Sequence, residues 1–402
     1  MKAKVSIFLL ALLPIISFFL NVKIYWAFHV LLLVCILIEE KVLVVTRGYY
    51  LLSYLGIPLV WTLFFSLNDQ LHFIIQALFY LATPLVFTFV GMQYSRIISP
   101  VMLLKYIVYS GTIGSLIYIG ISFYHLGLGA FFNPYEMRDF YVWGSATNVM
   151  AIIIMLFSRK YDIVLFNKKV GNFVILINLM ALYFTASRTY YLAFLVFMFI
   201  FLYEKNKKII FSALLFLIIL FGIVMTSDSE NKLIGKFQST GTEITLGEYD
   251  TAKEINNKYR GFETFMAYKT YISGTSLNLL FGHGFEKQVD LGVEVLLGDE
   301  MRSLLPWLHN GYMYQLLKEG LFGLILFLLF FIRVIKLKSK DIVLSFCSKI
   351  ILGSIITLMI SNFVICTFFS IDMSILWVFL GMYIVYVEKE KKINKELGET
   401  SF

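Results

Sequence analysis

Two side chains in this sequence stand where they could move a proton or hold an anion. Arg188 lies in Thr185-Ala186-Ser187-Arg188-Thr189, between two stretches that are almost purely apolar. A charge inside lipid costs several kcal/mol on membrane-insertion scales, so each ionisable group that survives near the end of such a stretch is a candidate for chemistry. The plainer alternative is an arginine at a turn, snorkelling to the interface. His309 lies in Leu305-Pro306-Trp307-Leu308-His309-Asn310-Gly311, where Pro306 suggests the first turn of a helix. The positive end of a helix disfavours imidazolium, which keeps the ring able to accept a proton, and it attracts anions. The alternative there is a capping or interfacial histidine. His29, His72, His125 and His283 read as structural. No carboxylate pair, nucleophilic triad, metal-ligand spacing or phosphate-cradling glycine loop is found, so no metal and no cofactor are expected.

The elements that must position these groups follow from composition. The 402 residues are 59% hydrophobic and 15% charged, well beyond the balance of a water-soluble domain. Unbroken apolar runs rich in Leu, Ile and Phe choose helices over a barrel, because backbone groups in lipid must pair internally. The expected fold class is all-α, a polytopic integral membrane helical bundle of about twelve spans. They are Val5–Leu20, Ile24–Ile38, Tyr49–Leu67, Leu71–Gly91, Val101–Tyr124, Tyr141–Phe157, Asn172–Ala186, Thr189–Tyr203, Ile209–Met225, Asn310–Ile332, Ile342–Cys366 and Ile371–Val387. The first reads as an uncleaved helix, since no small-x-small site follows it. Cys35, Cys347 and Cys366 all fall in apolar runs and read as packing residues.

A cytoplasmic N-terminus gathers most Lys and Arg on one side, in clusters such as Arg159-Lys160, Lys168-Lys169 and Lys336/Lys338/Lys340. The net charge of +8 then follows from topology, and no nucleic-acid partner is needed. The chain divides into a bundle of nine spans (1–225), a large external loop (226–308), three last spans (309–388) and a cytoplasmic tail (389–402). The loop holds 12 Asp and Glu against 8 Lys and Arg. A connector of roughly eighty residues is expected to be partly folded and functional. Within it Ile255, Tyr259, Phe262 and Met266 recur at helical spacing, which predicts an amphipathic helix lying on the membrane or on the bundle and carrying Arg260. Phe281-Gly282-His283-Gly284-Phe285 reads as a glycine-flanked turn, and Gly320 and Gly323 as sites of close helix packing.

Taken together, about twelve spans, Ser187-Arg188 at an outer hairpin turn, a large loop with an arginine and a Phe-Gly-His-Gly-Phe turn, and His309-Asn310 opening a helix that continues Leu316-x-x-Glu319-Gly320-x-x-Gly323 resemble the superfamily of Wzy-type O-antigen polymerases and O-antigen ligases. The layout covers nearly the whole chain, while the specific motifs cover Thr185–Tyr203 and Arg260–Leu324. Lys318-Glu319-Gly320 departs from the more apolar stretch expected before that glycine. The resemblance implies a GT-C-like fold and a metal-independent glycosyltransferase at the outer face of a bacterial plasma (inner) membrane. Its donor and acceptor would be undecaprenyl-diphosphate-linked oligosaccharides, with membrane lipids and a chain-length regulator as further partners. Arg188 and Arg260 would hold the diphosphate, His309 would engage the acceptor hydroxyl, and Arg302 would be a spare phosphate contact. Arginine suits that role, since its fork binds phosphate oxygens bidentately and stays charged. The alternatives are an O-antigen ligase, which passes finished polymer to a lipid core, and a transporter or flippase of lipid-linked sugars. The spans show no midplane charge, no half-to-half repeat is evident, and a flippase has no need of so long a loop, all of which speak against transport.

Overall fold

The computed structural model describes residues 22–40, 46–139, 146–203, 235, 239–249, 251–297 and 300–397. The expected spans Val5–Leu20 and Ile209–Met225, and the start of Tyr141–Phe157, lie outside the described residues. The protein is mostly helical, 76% helix against 4% strand. In chain order the bundle helices are α1 (Val22–Glu40), α2 (Tyr49–Phe65), α3 (Leu71–Leu81), α4 (Thr83–Tyr94), α5 (Pro100–Leu126), α6 (Ala146–Phe157), α7 (Lys168–Thr185) and α8 (Arg188–Tyr203). The segment that follows holds α9 (Thr240–Glu243), α10 (Ala252–Asn257), α11 (Tyr259–Ile272), α12 (Ser276–Phe281), β1 (Val289–Leu297) and β2 (Glu300–Leu305). Three helices complete the chain, α13 (Gly311–Ile335), α14 (Ile342–Ser361) and α15 (Ser374–Glu396). Among the described residues three helices are long and apolar enough to cross a membrane, or four if a bent pair counts as one span.

Several expected boundaries move, each for a local reason. The run Leu71–Gly91 is two helices, α3 and α4, bent by 50° at a break where Pro84 opens the second. Helix α14 stops at Ser361 rather than Cys366, because the Asn362 carboxamide oxygen accepts from Phe368 N at 3.1 Å and holds the chain in a buried turn. The region 389–396, assigned to a tail, continues α15. The predicted amphipathic helix breaks at Lys258 into α10 and α11. It lies on the bundle, since Ile255, Phe262 and Ala267 join the same apolar core as the bundle helices. The all-α expectation misses an antiparallel hairpin, β1 with β2, in which Val289, Leu291 and Val295 are buried and the register shifts between Asp290 and Val295, where Gly292, Val293 and Glu294 are exposed.

Helix α13 is continuous in sequence but broken in space. Gly320 has φ 72° and ψ −175°, so α13 is two half-helices, and the backbone of Leu280 and Gly282 packs directly on that glycine. A break orphans the carbonyls before it, and inside an apolar body each must find a donor. Leu317 O accepts from His283 N at 2.8 Å, Lys318 O from Thr62 Oγ1 at 3.4 Å, and Glu319 O from Trp61 Nε1 at 3.2 Å. The first donor comes from the Phe281–Phe285 turn. Gly282, at φ 92°, lets that turn touch α13, for a Cβ there would fall on the Lys318 carbonyl. The turn is anchored on its other side by Ser66 Oγ, which accepts from Phe285 N at 2.7 Å, and by Asp69 Oδ2, which accepts from Glu286 N at 2.8 Å. Lys318, buried within α13, donates through Nζ to Phe285 O and Lys287 O, both at 2.6 Å. Glu319 is also buried and accepts from Gln315 Nε2 at 2.9 Å. The expected span Asn310–Ile332 therefore holds two buried ionisable groups, and α13 is not among the helices apolar enough to cross a membrane.

Two further contacts set the frame. Gly91 on α4 and Gly381 on α15 face the backbone of the opposite helix, Gly91 against Val378 and Gly381 against Thr88, which brings the two axes together. Across α5, α6 and α7, Ser115, Asn148 and Asn178 form a buried polar knot, with Asn148 Nδ2 donating to Ser115 Oγ at 2.7 Å and Ser115 Oγ to Asn178 Oδ1 at 2.9 Å. Such bonds fix helix register where apolar packing alone does not.

Candidate active site

Arg188 is the first residue of α8, after a turn in which Ala186 takes φ 45° and ψ 35°. That left-handed conformation costs an alanine on the order of 1 kcal/mol or more and is held by the two helices it joins. A cation is also at the wrong end of a helix dipole there. Its charge is met instead by Glu243 of α9, with Nη2 to Oε2 at 2.9 Å. Ser239 Oγ holds the other carboxylate oxygen, Oε1, at 2.9 Å.

The chain from Glu243 runs directly onto α11. Ile244 and Thr245 press their backbone against Gly261, where a Cβ would overlap the Thr245 carbonyl. On either side of that glycine stand Arg260 and Glu263, three residues apart and so on one face of the helix. Arg260 Nη1 donates to Val364 O at 2.7 Å, in the turn after α14. Glu263 is 1% exposed and grips His309 twice: Oε1 accepts from His309 N at 2.5 Å, and Oε2 accepts from Nδ1 at 2.7 Å.

His309 precedes the helix rather than lying in its first turn. Asn310 is the N-cap of α13 and its carboxamide oxygen accepts from Tyr312 N and Met313 N. Pro306 lies in the turn after β2, outside any helix. Gly311 N donates to Asn362 O at 2.9 Å, so the same turn that receives Arg260 also holds the start of α13. Tyr259 sits edge-on to the His309 ring with centroids 5.9 Å apart. Burial pushes its phenol well above the usual tyrosine range, and the neighbouring Glu263 pushes in the same direction.

A carboxylate can only accept, so the Glu263 bond places a hydrogen on Nδ1, and in the neutral ring the lone pair is then on Nε2. The ring side chain is 42% exposed, against 1% for Glu263. A buried carboxylate orienting a half-exposed imidazole is an arrangement that can take a proton from a hydroxyl.

The structure thus joins Arg188, Arg260 and His309 through one continuous set of contacts across α8, α9, α11 and α13. Arg302 is exposed on β2 opposite Val295, and none of these contacts involves it. Glu243 and Glu263 were not singled out from the sequence. For Glu263 a signal existed in Arg260-x-x-Glu263, an ionisable pair on the apolar side of a helix. For Glu243 there was none. The chain matches no known protein family and no characterised protein.

Proposed function

We propose that the protein is a glycosyltransferase that polymerises undecaprenyl-diphosphate-linked oligosaccharide repeats into O-antigen or capsular polysaccharide. The observation that carries this reading is His309, held by Glu263 through its backbone N and ring Nδ1, so that in the neutral ring Nε2 is the nitrogen that accepts a proton. In this mechanism Nε2 takes the proton of the acceptor hydroxyl as its oxygen bonds to the anomeric carbon of the donor. The bond from that carbon to the diphosphate oxygen breaks, and undecaprenyl diphosphate leaves with the electron pair. Arg188 and Arg260 stabilise its growing charge, where preorganised donors are each worth a few kcal/mol of barrier. The chain then spans the plasma membrane about twelve times with both termini in the cytoplasm. In this reading the segment from α9 to β2 lies at the outer face.

The reading is tested in the protein's own host by deleting the gene and resolving surface glycans on a gel. Collapse of the ladder to a single repeat on the lipid anchor is the expected result. Full-length polymer retained on undecaprenyl diphosphate, with a bare lipid core, identifies a ligase acting through the same site. A ladder unchanged in every respect rules out both.

The broken helices favour one other reading. Discontinuous spans with buried ionisable residues, here α3 with α4 and α13 with Lys318 and Glu319, are features of transporters. Lys318 is fully engaged by loop carbonyls, which fits a rivet better than a substrate site. Substituting both Arg188→Lys and Arg260→Lys separates the two: a bidentate phosphate site loses most activity, whereas a transporter that uses them as interfacial anchors retains it.

A further inference from the structure

Arg188 has an occupant. Its Nη2 donates to Glu243 Oε2, and Ser239 Oγ tethers the same carboxylate through Oε1, each at 2.9 Å. The pair is largely sealed, with side chains 20% and 12% exposed. Glu243 closes a single helical turn, yet the residues after it are fixed against Gly261 on α11. The carboxylate is therefore presented to Arg188 by a short, anchored segment.

An arginine beside lipid meets a standing problem. Ordinary phospholipids offer phosphodiesters, each with one negative charge, at far higher local concentration than any lipid-linked sugar. A bare guanidinium at this depth would hold one of them most of the time. A carboxylate already seated on the fork removes that outcome, because a singly charged phosphodiester gains little by replacing another single charge. A diester of diphosphoric acid carries two charges on adjacent phosphoryl groups and offers more acceptor oxygens, and it replaces the carboxylate at a profit.

We infer that Glu243 is a specificity-determining residue, a carboxylate seated on Arg188 that admits lipid diphosphates and turns away the phosphodiesters of the bulk membrane. The inference rests on the reading of Arg188 as the diphosphate contact. Glu243 does not touch the reacting atoms. Its effect is on which lipid reaches them.

The test uses the full chain in detergent micelles, undecaprenyl diphosphate as the probe and phosphatidylglycerol as the competitor, with binding read by native mass spectrometry. In the unaltered protein, phosphatidylglycerol should displace the probe poorly. Glu243→Gln removes the seated charge, so phosphatidylglycerol should compete about tenfold better, a size typical of coupling between neighbouring sites. Ser239→Ala loosens the same carboxylate and should shift competition in the same direction by a smaller factor, which keeps the inference testable if Glu243→Gln does not fold. Arg188→Gln should abolish probe binding. If Arg188→Gln binds the probe normally, the diphosphate reading of Arg188 fails and the inference with it. If Arg188→Gln loses the probe while neither Glu243→Gln nor Ser239→Ala changes the competition, the site stands and the specificity role of Glu243 is overturned. Weaker probe binding in Glu243→Gln with unchanged competition also overturns it, since that pattern belongs to a residue that merely positions Arg188.

Discussion

Gly282→Ala should loosen the grip of the Phe281–Phe285 turn on the break in α13. Gly282 has φ 92° and ψ 172°, a region open in practice to glycine alone, and forcing alanine there costs about 1–3 kcal/mol. The added Cβ also falls on the Lys318 carbonyl, so the turn must withdraw. Withdrawal loses the bond from His283 N to Leu317 O, worth about 0.5–1.5 kcal/mol, and leaves that carbonyl short of a donor in an apolar setting. The sum is about 2–4 kcal/mol, which for a chain of this length corresponds to a fall in Tm of about 2–5 °C. Cys347 and Cys366 are buried and their thiols are free, so a thiol-reactive dye in a Cys35→Ala background reports melting in detergent. Two glycines calibrate the result. Gly292 has φ 71° but open space around its Cβ position, so alanine there carries backbone strain alone. Gly120 has open space and no positive φ, inside α5, so alanine should be neutral or stabilise by up to about 1 kcal/mol. Should Gly282→Ala melt with Gly292→Ala, the docking of the turn on α13 is not what the glycine supports.

Glu263→Gln leaves the shape of the site but removes the carboxylate that fixes the His309 tautomer, and His309→Gln removes the base. Each should lower polymer synthesis by about 10²–10⁴-fold with little change in Tm, and an active Glu263→Gln variant would remove the base role of His309. Gly91→Ala and Gly381→Ala place a methyl against the facing backbone of α15 and α4, and each should lower Tm by several degrees, as the same dye assay would read. Burial holds the His283 ring below the ordinary histidine pKa of 6.5, with Lys287 and Lys318 acting in the same direction and its bond to Tyr271 O against it. A depressed histidine pKa means that the unfolded chain binds the proton first, so stability should fall as pH drops through 6.5 toward the folded value. His283→Gln should flatten the Tm profile between about pH 7 and 5, and an unchanged slope would place the pH response elsewhere.

Periodicity and composition made the helical membrane class legible, along with the α7–α8 hairpin at Ser187-Arg188, the burial of Phe262 and Ile255, and the turn at Phe281–Phe285. These are local properties: an apolar run or a spacing of three and four states which side of an element is buried, whatever it is buried against. The strand pair left only a weak local signal, because the bulge between Asp290 and Val295 interrupts the alternation that marks a strand. The break at Gly320 was not legible, because a glycine within a helical run is equally compatible with close packing and with a break. What decided it was the arrival of donors from Thr62, Trp61 and His283 to satisfy the carbonyls that a break exposes.

Residue type alone marked Arg188 and His309, since an arginine beside apolar runs and a histidine before a helix stand out in any reading. Their partners did not stand out. Glu243 lies 55 residues from Arg188 and Glu263 lies 46 from His309. The segment 226–308 holds 12 acidic residues that are chemically equivalent on paper. Which of them meets a given cation depends on how α9 and α11 fold back over the bundle, and that is set by contacts such as Thr245 against Gly261 and Arg260 with Val364. Long-range closure is a property of the whole packed chain, and ion-pair choice follows from it, so only the tertiary structure could supply it.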